Sequence, residues 1–288
     1  MGDTLMPADT ACDRRVIIGG MPYQSHLSAA ANAAENLLAL CEARRGWSYR
    51  HEDYVIADVG NRGCRVVITR PSADPAAAIS RMTELAAEHM PGRPLVVEDT
   101  FGTLPLEHYG FTPWARIPVM VRDARTGAAD GIAGTGAARE RTRATGGDQA
   151  AGSIRVAIAT SPADVNTVER LMVDCLPLTS LQPWRPGVLF PPDPARIPGW
   201  VMWLGLRDCG PTGCCATFDD GHMVGLYGMA VVPAMRRRGV GSTLLEAVFD
   251  YYPGRTSCLT ATTDGFWLYA SAGYRTVGLA TWWGSEPA

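Results

Sequence analysis

The chain of 288 residues contains no lysine, and all 26 of its basic residues are arginine. We attribute this bias to the coding composition of the genome. The absence still excludes two kinds of mechanism. A chain without lysine forms no Schiff base on a lysine amine, and it has no phosphate-binding loop of the Gly-Lys-Ser/Thr type.

Metal-ligand spacings and long apolar runs are also missing. The eight cysteines form no Cys-x-x-Cys pair and the five histidines are scattered, so no metal site is predicted. No apolar run reaches the roughly 18 residues that span a membrane, and the N-terminus lacks an apolar signal core. A net charge of −3 argues against nucleic-acid or membrane binding. We expect a folded cytoplasmic protein with free thiols.

One segment poor in large apolar residues divides the chain. Residues 125–152 are rich in Gly, Ala and Thr, which predicts a flexible linker. Residues 1–124 and 153–288 then form two domains of similar size. In both, short apolar strands are mixed with helical patterns, which is typical of an α/β or α+β sheet protein.

The two halves share a pattern. The stretches Pro91–Trp114 and Pro253–Val277 both begin with Pro-Gly-Arg, enter an apolar strand, and reach a short helix followed by glycine and an aromatic residue. We interpret them as two copies of one fold. The alternative is a chance similarity between two α/β units.

The stretch "PAMRRRGVGSTLLEAV", from Pro233 to Val248, carries the clearest chemical signal. The first turn of a helix has unpaired amides and a partial positive charge, and glycines let a ligand approach the backbone. This combination predicts an anion site, with a basic surface turn as the alternative. A dinucleotide site is a second alternative with Asp264 as the ribose-binding acid, although Leu244 stands where its third glycine belongs. The first half has "SADPAAA" here, and its Asp74 would repel a phosphate.

The spacing Arg236-x-x-Gly239-x-Gly241, the strand before it and the later "WLYASAGY" resemble the GNAT superfamily of acyl-CoA-dependent N-acyltransferases. The resemblance covers Ile154 to Trp283 and extends weakly to the first half. It implies two tandem GNAT-like domains, each a mixed, mostly antiparallel sheet flanked by helices. It also implies a degenerate, non-catalytic N-terminal copy and acetyl-CoA or another acyl-CoA as co-substrate.

The resemblance also implies roles for individual residues. The loop amides would hold the CoA pyrophosphate, and the end of the preceding strand would face the thioester. The cofactor-binding set is Met229, Ala230, Val231, Arg236, Arg237, Arg238, Gly239, Val240, Gly241, Ser242 and Thr243. Tyr269 occupies the place of the family's tyrosine acid, which would protonate the departing thiolate; alternatively it is a packing residue. The first copy has Leu106 there, which cannot donate a proton.

The base that deprotonates the acceptor is not identified by the pattern. Many family members have a glutamate where this chain has Gly225. The candidates are Asp219, Asp220, His222 or a water chain, while the alternative interpretation of "FDDGHM" is a solvated hairpin turn.

The acceptor would be bounded by the segment from Leu176 to Trp200, which has few acids. We expect Trp184 and Tyr227 to contact it, and a small amine with apolar or carboxylate-bearing parts to suit it. The sequence thus predicts transfer of an acetyl group from acetyl-CoA to a small-molecule primary amine by direct attack in a ternary complex. The alternatives are a protein or peptide acetyltransferase and a non-catalytic acyl-CoA-binding protein. Homo-oligomer formation stays open.

Overall fold

The computed structural model describes residues 21–60, 63–124, 141–143, 153–176, 178, 181–191 and 193–285. Within the linker predicted at 125–152, Arg141–Arg143 forms a short strand; the other linker residues lie outside the described residues. The first half has the elements α1 (Met21–Ala43), β1 (Ser48–Arg50), β2 (Tyr54–Asp58), β3 (Cys64–Ile68), α2 (Pro75–His89), β4 (Leu95–Asp99), a 3-10 turn (Leu106–Tyr109) and β5 (Thr112–Arg122).

The second half repeats this order of elements. It has β6 (Arg141–Arg143), β7 (Ile154–Ile158), α3 (Pro162–Cys175), β8 (Trp200–Arg207), β9 (Gly210–Asp219), β10 (Val224–Val231), α4 (Val240–Tyr251), β11 (Ser257–Thr260), α5 (Phe266–Ser271) and β12 (Arg275–Gly284). In each half an antiparallel strand pair is followed by a helix, a parallel strand, a short helical turn and a long last strand. The repeated order agrees with two copies of one fold.

Helix boundaries follow local signals in the sequence. Ser161 and Asp164 form a capping box at the start of α3, where each satisfies a backbone N–H of the other. The Asp74 carboxylate accepts from the amide of Ala77 and caps α2. Helix α4 has no side-chain cap and begins at Val240, directly after Gly239, whose φ of 83° lies in the left-handed region that favours glycine.

All twelve strands of the described residues lie in one sheet, in the order β1-β2-β3-β4-β12-β5-β11-β10-β9-β8-β7-β6. The two halves exchange their last strands at its centre. Strand β12 of the second half pairs with β4 and β5, and β5 of the first half pairs with β12 and β11. The exchanged strands bury Val119, Met120, Val121 and Ala280. Each half therefore needs a strand from the other to complete its sheet.

Helices cover both faces of the sheet. Helices α2 and α4 pack on one face, over separate apolar clusters. Helices α1 and α3 lie on the opposite face, where α1 extends across the exchanged strands to β9 and β10. Among the described helices, none is long and apolar enough to cross a membrane. The long reach of α1 places first-half side chains against the second half.

Candidate functional site

The sheet opens between β10 and β11. These parallel strands pair only at Val224 with Ser257 and at Gly225 with Cys258. Beyond that point β10 bulges between Tyr227 and Ala230, with Gly228 at a φ of 59°. A Cβ atom at Gly228 would lie 2.6 Å from the Met172 sulfur, so helix α3 also restricts this position to glycine. The gap leaves the β11-facing edge of β10 available to a ligand.

A cavity of 260 Å³ adjoins this gap on the α1 and α3 face. Strand β10 contributes Tyr227 and Gly228, and β11 contributes Cys258 to Thr260. Helix α1 contributes small side chains, Ala29, Ala30 and Ala33. The volume lies just below the roughly 300–1,000 Å³ of typical small-molecule pockets. The cavity can hold a compact molecule with one end at the opening in the sheet.

The loop before α4 provides the features of an anion site. Gly239 and Arg237 both adopt positive φ, 83° and 61°, which turns the chain sharply into the helix. Arg237, Arg238 and Ser242 are exposed. The uncapped first turn of α4 leaves backbone N–H groups that can donate hydrogen bonds to an anion. These residues fit a diphosphate group.

Three other residues of the predicted cofactor set have partners inside the protein. Arg236 donates to the carbonyls of Val231 and Cys175, at 3.3 and 3.2 Å, and lies 3.7 Å from Asp264. The Thr243 hydroxyl donates to the Gly239 carbonyl at 3.0 Å. A Cβ atom at Gly241 would lie 2.8 Å from Leu268, so this glycine lets α5 approach α4. Arg236, Thr243 and Gly241 thus stabilise the loop itself, a role that the motif did not predict.

Asn32 of the first half occupies the space beside Gly225, where many GNAT proteins have a glutamate. A side chain at Gly225 would overlap Asn32 Oδ1 and lie 2.6 Å from the Tyr227 hydroxyl. Asn32, on α1, is fully buried and accepts a hydrogen bond from Tyr227 at 2.6 Å. Its amide donates to Asp220 at 2.8 Å and to the Met223 carbonyl at 3.1 Å. Burial raises the pKa of Tyr227 well above its ordinary value, so the phenol stays protonated.

The two acids of the hairpin between β9 and β10 stabilise that turn and the network beside it. Asp220 accepts from the amides of His222 and Met223, both at 2.7 Å, in addition to Asn32. Asp219 forms an ion pair with Arg255 at 2.6 Å. These bonds agree with the interpretation of "FDDGHM" as a turn, and they occupy both carboxylates that were candidates for the base.

The segment between α3 and β8 is organised by a residue that the sequence reasoning missed. Glu169 is 1% exposed and accepts four hydrogen bonds, from the amides of Gly187, Leu189 and Phe190 and from the Trp184 indole. Trp184 thus stabilises the segment and does not line the cavity, whereas Phe190 does. The sequence signal for this role was a single acidic residue, Glu169, on the apolar side of α3 directly after Val168.

Tyr269 lies on the other face of the opening. It is 7% exposed and belongs to the same apolar cluster as Leu226, Val240 and Leu259. Two members of this cluster, Leu226 and Leu259, also line the cavity, although Tyr269 itself does not. Burial raises the pKa of the Tyr269 phenol, so it is held in the protonated form.

Charged groups of the cavity come from the first half. Arg65 on β3 and Glu98 on β4 form an ion pair, and the Arg65 guanidinium lies 4.4 Å from the centre of the Trp282 ring. All three residues line the cavity. The sequence reasoning missed this pair; its signal was a charged residue inside each of the apolar strands "CRVVI" and "LVVED".

The first half differs at the positions that correspond to the start of α4 and to Tyr269. The Asp74 carboxylate caps α2, where α4 has open amides. Leu106, which corresponds to Tyr269, is fully buried in an apolar cluster. The described first half therefore lacks both the open helix end and the phenol.

Comparison with known proteins matches the second half to a family. Residues 198–276 match the model of the acetyltransferase (GNAT) domain. No curated protein matches the chain.

Solved structures match nearly the whole chain in fold. A GCN5-related N-acetyltransferase from Kribbella flavida is 18% identical with a TM-score of 0.57, over 90% of this chain and 96% of that one. A tandem GNAT protein from the clavulanic acid biosynthesis pathway is 15% identical with a TM-score of 0.52, over 90% and 93%. Residues 198–276 therefore match a GNAT acetyltransferase domain, and the chain as a whole shares the fold of these GNAT structures.

Proposed function

We propose that the protein transfers an acetyl group from acetyl-CoA to a primary amine of a small molecule, by direct attack in a ternary complex. The observation that carries the proposal is the opening between β10 and β11, two strands that also line the cavity, with the uncapped start of α4 following β10 in the chain. One ligand can extend from the helix end into the opening while a second occupies the cavity. The cavity volume of 260 Å³ favours a small acceptor over a peptide.

The co-substrate would be held by the loop and by β10. The amides of Arg238 to Gly241, the Ser242 hydroxyl and the charges of Arg237 and Arg238 would bind its diphosphate. Amides of Met229 to Val231 would bind the pantetheine arm and polarise the thioester carbonyl. Acetyl-CoA supplies an activated acyl group.

Two phenols lie on the two faces of the sheet beside the opening, Tyr269 buried and Tyr227 partly buried. Tyr269 would protonate the leaving thiolate, a role suited to a phenol whose burial keeps it in the acid form. Tyr227, held by Asn32, would position the acceptor or a water molecule beside it. The Asn32 oxygen already accepts from Tyr227, so the acceptor would lose its proton to a water or bind as the free amine.

The test uses a substitution that spares the helix. Ser242→Asp adds a carboxylate to the third position of α4, where it would favour the helix dipole but repel a diphosphate. The matched control, Ala77→Asp, makes the same change at the third position of α2. We expect calorimetry to show one acetyl-CoA site in the parent and the control, and at least tenfold weaker binding in Ser242→Asp. Equal binding in all three proteins would refute the proposed site.

Turnover is then measured as CoA-thiol release with amine and peptide panels. Release with small amines supports the proposal. Release with peptides alone would indicate a peptide acetyltransferase, and tight acetyl-CoA binding without release on either panel would indicate a non-catalytic binding protein.

A further inference from the structure

The cavity beside the opening is lined by one carboxylate, which comes from the first half. Among the described residues that line the cavity, Glu98 is the only acid and Arg65 is the only base. The Arg65 guanidinium donates to Glu98 Oε2, and no described residue donates to the other carboxylate oxygen, Oε1. A carboxylate has lone pairs on both oxygens and accepts several hydrogen bonds. Glu98 Oε1 is therefore left for a donor that the described protein does not supply.

The ion pair turns its negative end towards the interior. The side chain of Arg65 is 23% exposed, whereas that of Glu98 is 3% exposed. The guanidinium lies 4.4 Å from the centre of the Trp282 ring, and Trp282 is the residue opposite Glu98 on β12. Solvent screens an exposed charge more than an enclosed one. The pair is neutral as a whole, but inside the cavity the charge of the carboxylate acts more strongly.

Two other groups that line the cavity are subject to this negative charge. Burial raises the pKa of Tyr227 most, and Glu98 raises this pKa by more than Arg65 lowers it. Burial also raises the pKa of the Cys258 thiol, and the charges of Asp220 and Glu98 raise it further. The balance of charge at both groups is therefore negative. A negative potential in an enclosed site attracts cations and disfavours anions.

The carboxylate and the opening in the sheet belong to separate parts of the cavity wall. Glu98 is on β4, whereas the opening lies between β11 and β10, and strands β12 and β5 are between them. The rest of the wall includes the apolar side chains of Ala29, Ala30 and Val119. A group that is bound at Glu98 is therefore not the group that reacts at the opening. An apolar chain can join the two groups.

We propose that Glu98 binds a second, cationic nitrogen of the acceptor, so that the acceptor is a compact diamine. One amine lies at the opening beside Tyr227, and the other is an ammonium group that donates to Glu98 Oε1. An alkyl chain joins them along the apolar wall. The assignment rests on the proposed function for the amine at the opening, while the ammonium binds at Glu98 independently of turnover. It disfavours the carboxylate-bearing acceptor expected from the sequence, because that group would lie against Glu98.

The test compares the binding of three probes that share a primary amine and the same alkyl chain. They are 1,5-diaminopentane, 5-amino-1-pentanol and 5-aminopentanoate, whose far ends are cationic, neutral and anionic. Calorimetry at pH 8 keeps the carboxylate ionised and the amines protonated. Each titration is run with and without CoA.

Two single variants break the same ion pair but change the charge of the cavity in opposite directions. Glu98→Gln removes the negative charge and keeps the side-chain shape, whereas Arg65→Met removes the guanidinium and keeps the carboxylate. A double variant with methionine at both positions gives a neutral wall if a single variant fails to fold. The matched control is Glu35→Gln, which breaks the ion pair of Glu35 with Arg50, two residues that do not line the cavity.

We expect the parent to bind 1,5-diaminopentane most tightly and 5-aminopentanoate most weakly. Glu98→Gln should weaken diamine binding at least tenfold, the loss of a hydrogen bond between charged groups, and leave 5-amino-1-pentanol and acetyl-CoA binding unchanged. The double variant should also lose the preference for the diamine. Arg65→Met should bind the diamine at least as tightly as the parent, because Glu98 then has no partner inside the protein. Glu35→Gln should match the parent.

Four results would overturn the inference. The first is binding of 5-amino-1-pentanol or 5-aminopentanoate to the parent as tightly as the diamine, and the second is no binding of any probe. The third is a loss of diamine binding in Glu35→Gln equal to that in Glu98→Gln. The fourth is an equal loss in Arg65→Met, since the broken ion pair and not the negative charge would then explain the effect.

Failure of this subsite and failure of the proposed reaction give different results. CoA-thiol release with 5-amino-1-pentanol, without any preference for the diamine, would keep the reaction and refute the subsite. Diamine binding that depends on Glu98, without thiol release from any probe, would keep the subsite and refute the reaction.

Discussion

Adding one methyl group at Gly225 should disrupt the contact between the two halves of the chain. The new Cβ atom of Gly225→Ala would overlap Asn32 Oδ1 and lie 2.6 Å from the Tyr227 hydroxyl. Asn32 cannot move aside freely, because its amide and carbonyl bond to Asp220, to Met223 and to Tyr227. The substitution must displace helix α1 or break this network.

The cost follows from two contributions. Overpacking a close-packed core costs about 1–3 kcal/mol. Each hydrogen bond lost from a buried group costs about 1 kcal/mol more. We therefore expect Gly225→Ala to lower the free energy of unfolding by about 3 kcal/mol, and Gly225→Glu to lower it further without creating a base.

The assay is urea denaturation of the parent, Gly225→Ala and a matched control. The control is Gly205→Ala on β8, whose Cβ atom would meet its nearest neighbour at 3.4 Å. Shortening Asn32 to alanine should make room for the methyl group, so Gly225→Ala should cost clearly less in that background. The reasoning is refuted if Gly225→Ala is as stable as Gly205→Ala, or if its cost is the same with and without Asn32.

Three further predictions concern the loop, the pH dependence of stability and the exchanged strands. Glu169→Gln should cost about 2 kcal/mol in urea denaturation, because an amide nitrogen cannot accept the backbone N–H bonds that the carboxylate accepts; exposed Glu88→Gln is the control, and an equal effect of both would contradict the assignment. Burial lowers the pKa of His26 below its ordinary 6.5, so the unfolded state binds the proton more tightly and stability should fall as pH drops through 6.5. His26→Asn should lose part of this pH dependence, unlike exposed His108→Asn, and an unchanged profile would refute it. Removing residues 1–124 deletes β5 from between β11 and β12 and should yield insoluble protein; a soluble, active second half would show that the exchange is dispensable.

The sequence alone predicted much of the second half because its signals are local. The spacing Arg236-x-x-Gly239-x-Gly241 marks the start of a helix, and α4 begins at Val240. The apolar patterns placed the strands before and after it. Such features depend on backbone propensity and neighbouring residues, which a single chain segment contains.

Roles that depend on distant contacts did not follow from the motif. Arg236 and Gly241 fit the phosphate pattern by sequence, yet their contacts are with Cys175 and Leu268. Trp184 is close in sequence to Phe190, but only Phe190 reaches the cavity. Whether a side chain faces a ligand or a neighbouring element depends on what packs against it.

The sequence by itself determined the two copies of the fold, the uncapped helix start at Gly239 in the second copy and the capped one at Asp74 in the first. Tertiary structure alone decided that the copies exchange their last strands and that Asn32, Arg65 and Glu98 of the first copy line or support the cavity of the second. The physical reason is the range of the interactions. Helix caps and strand patterns are set within a few residues, whereas strand pairing and cavity walls join residues that are more than a hundred positions apart.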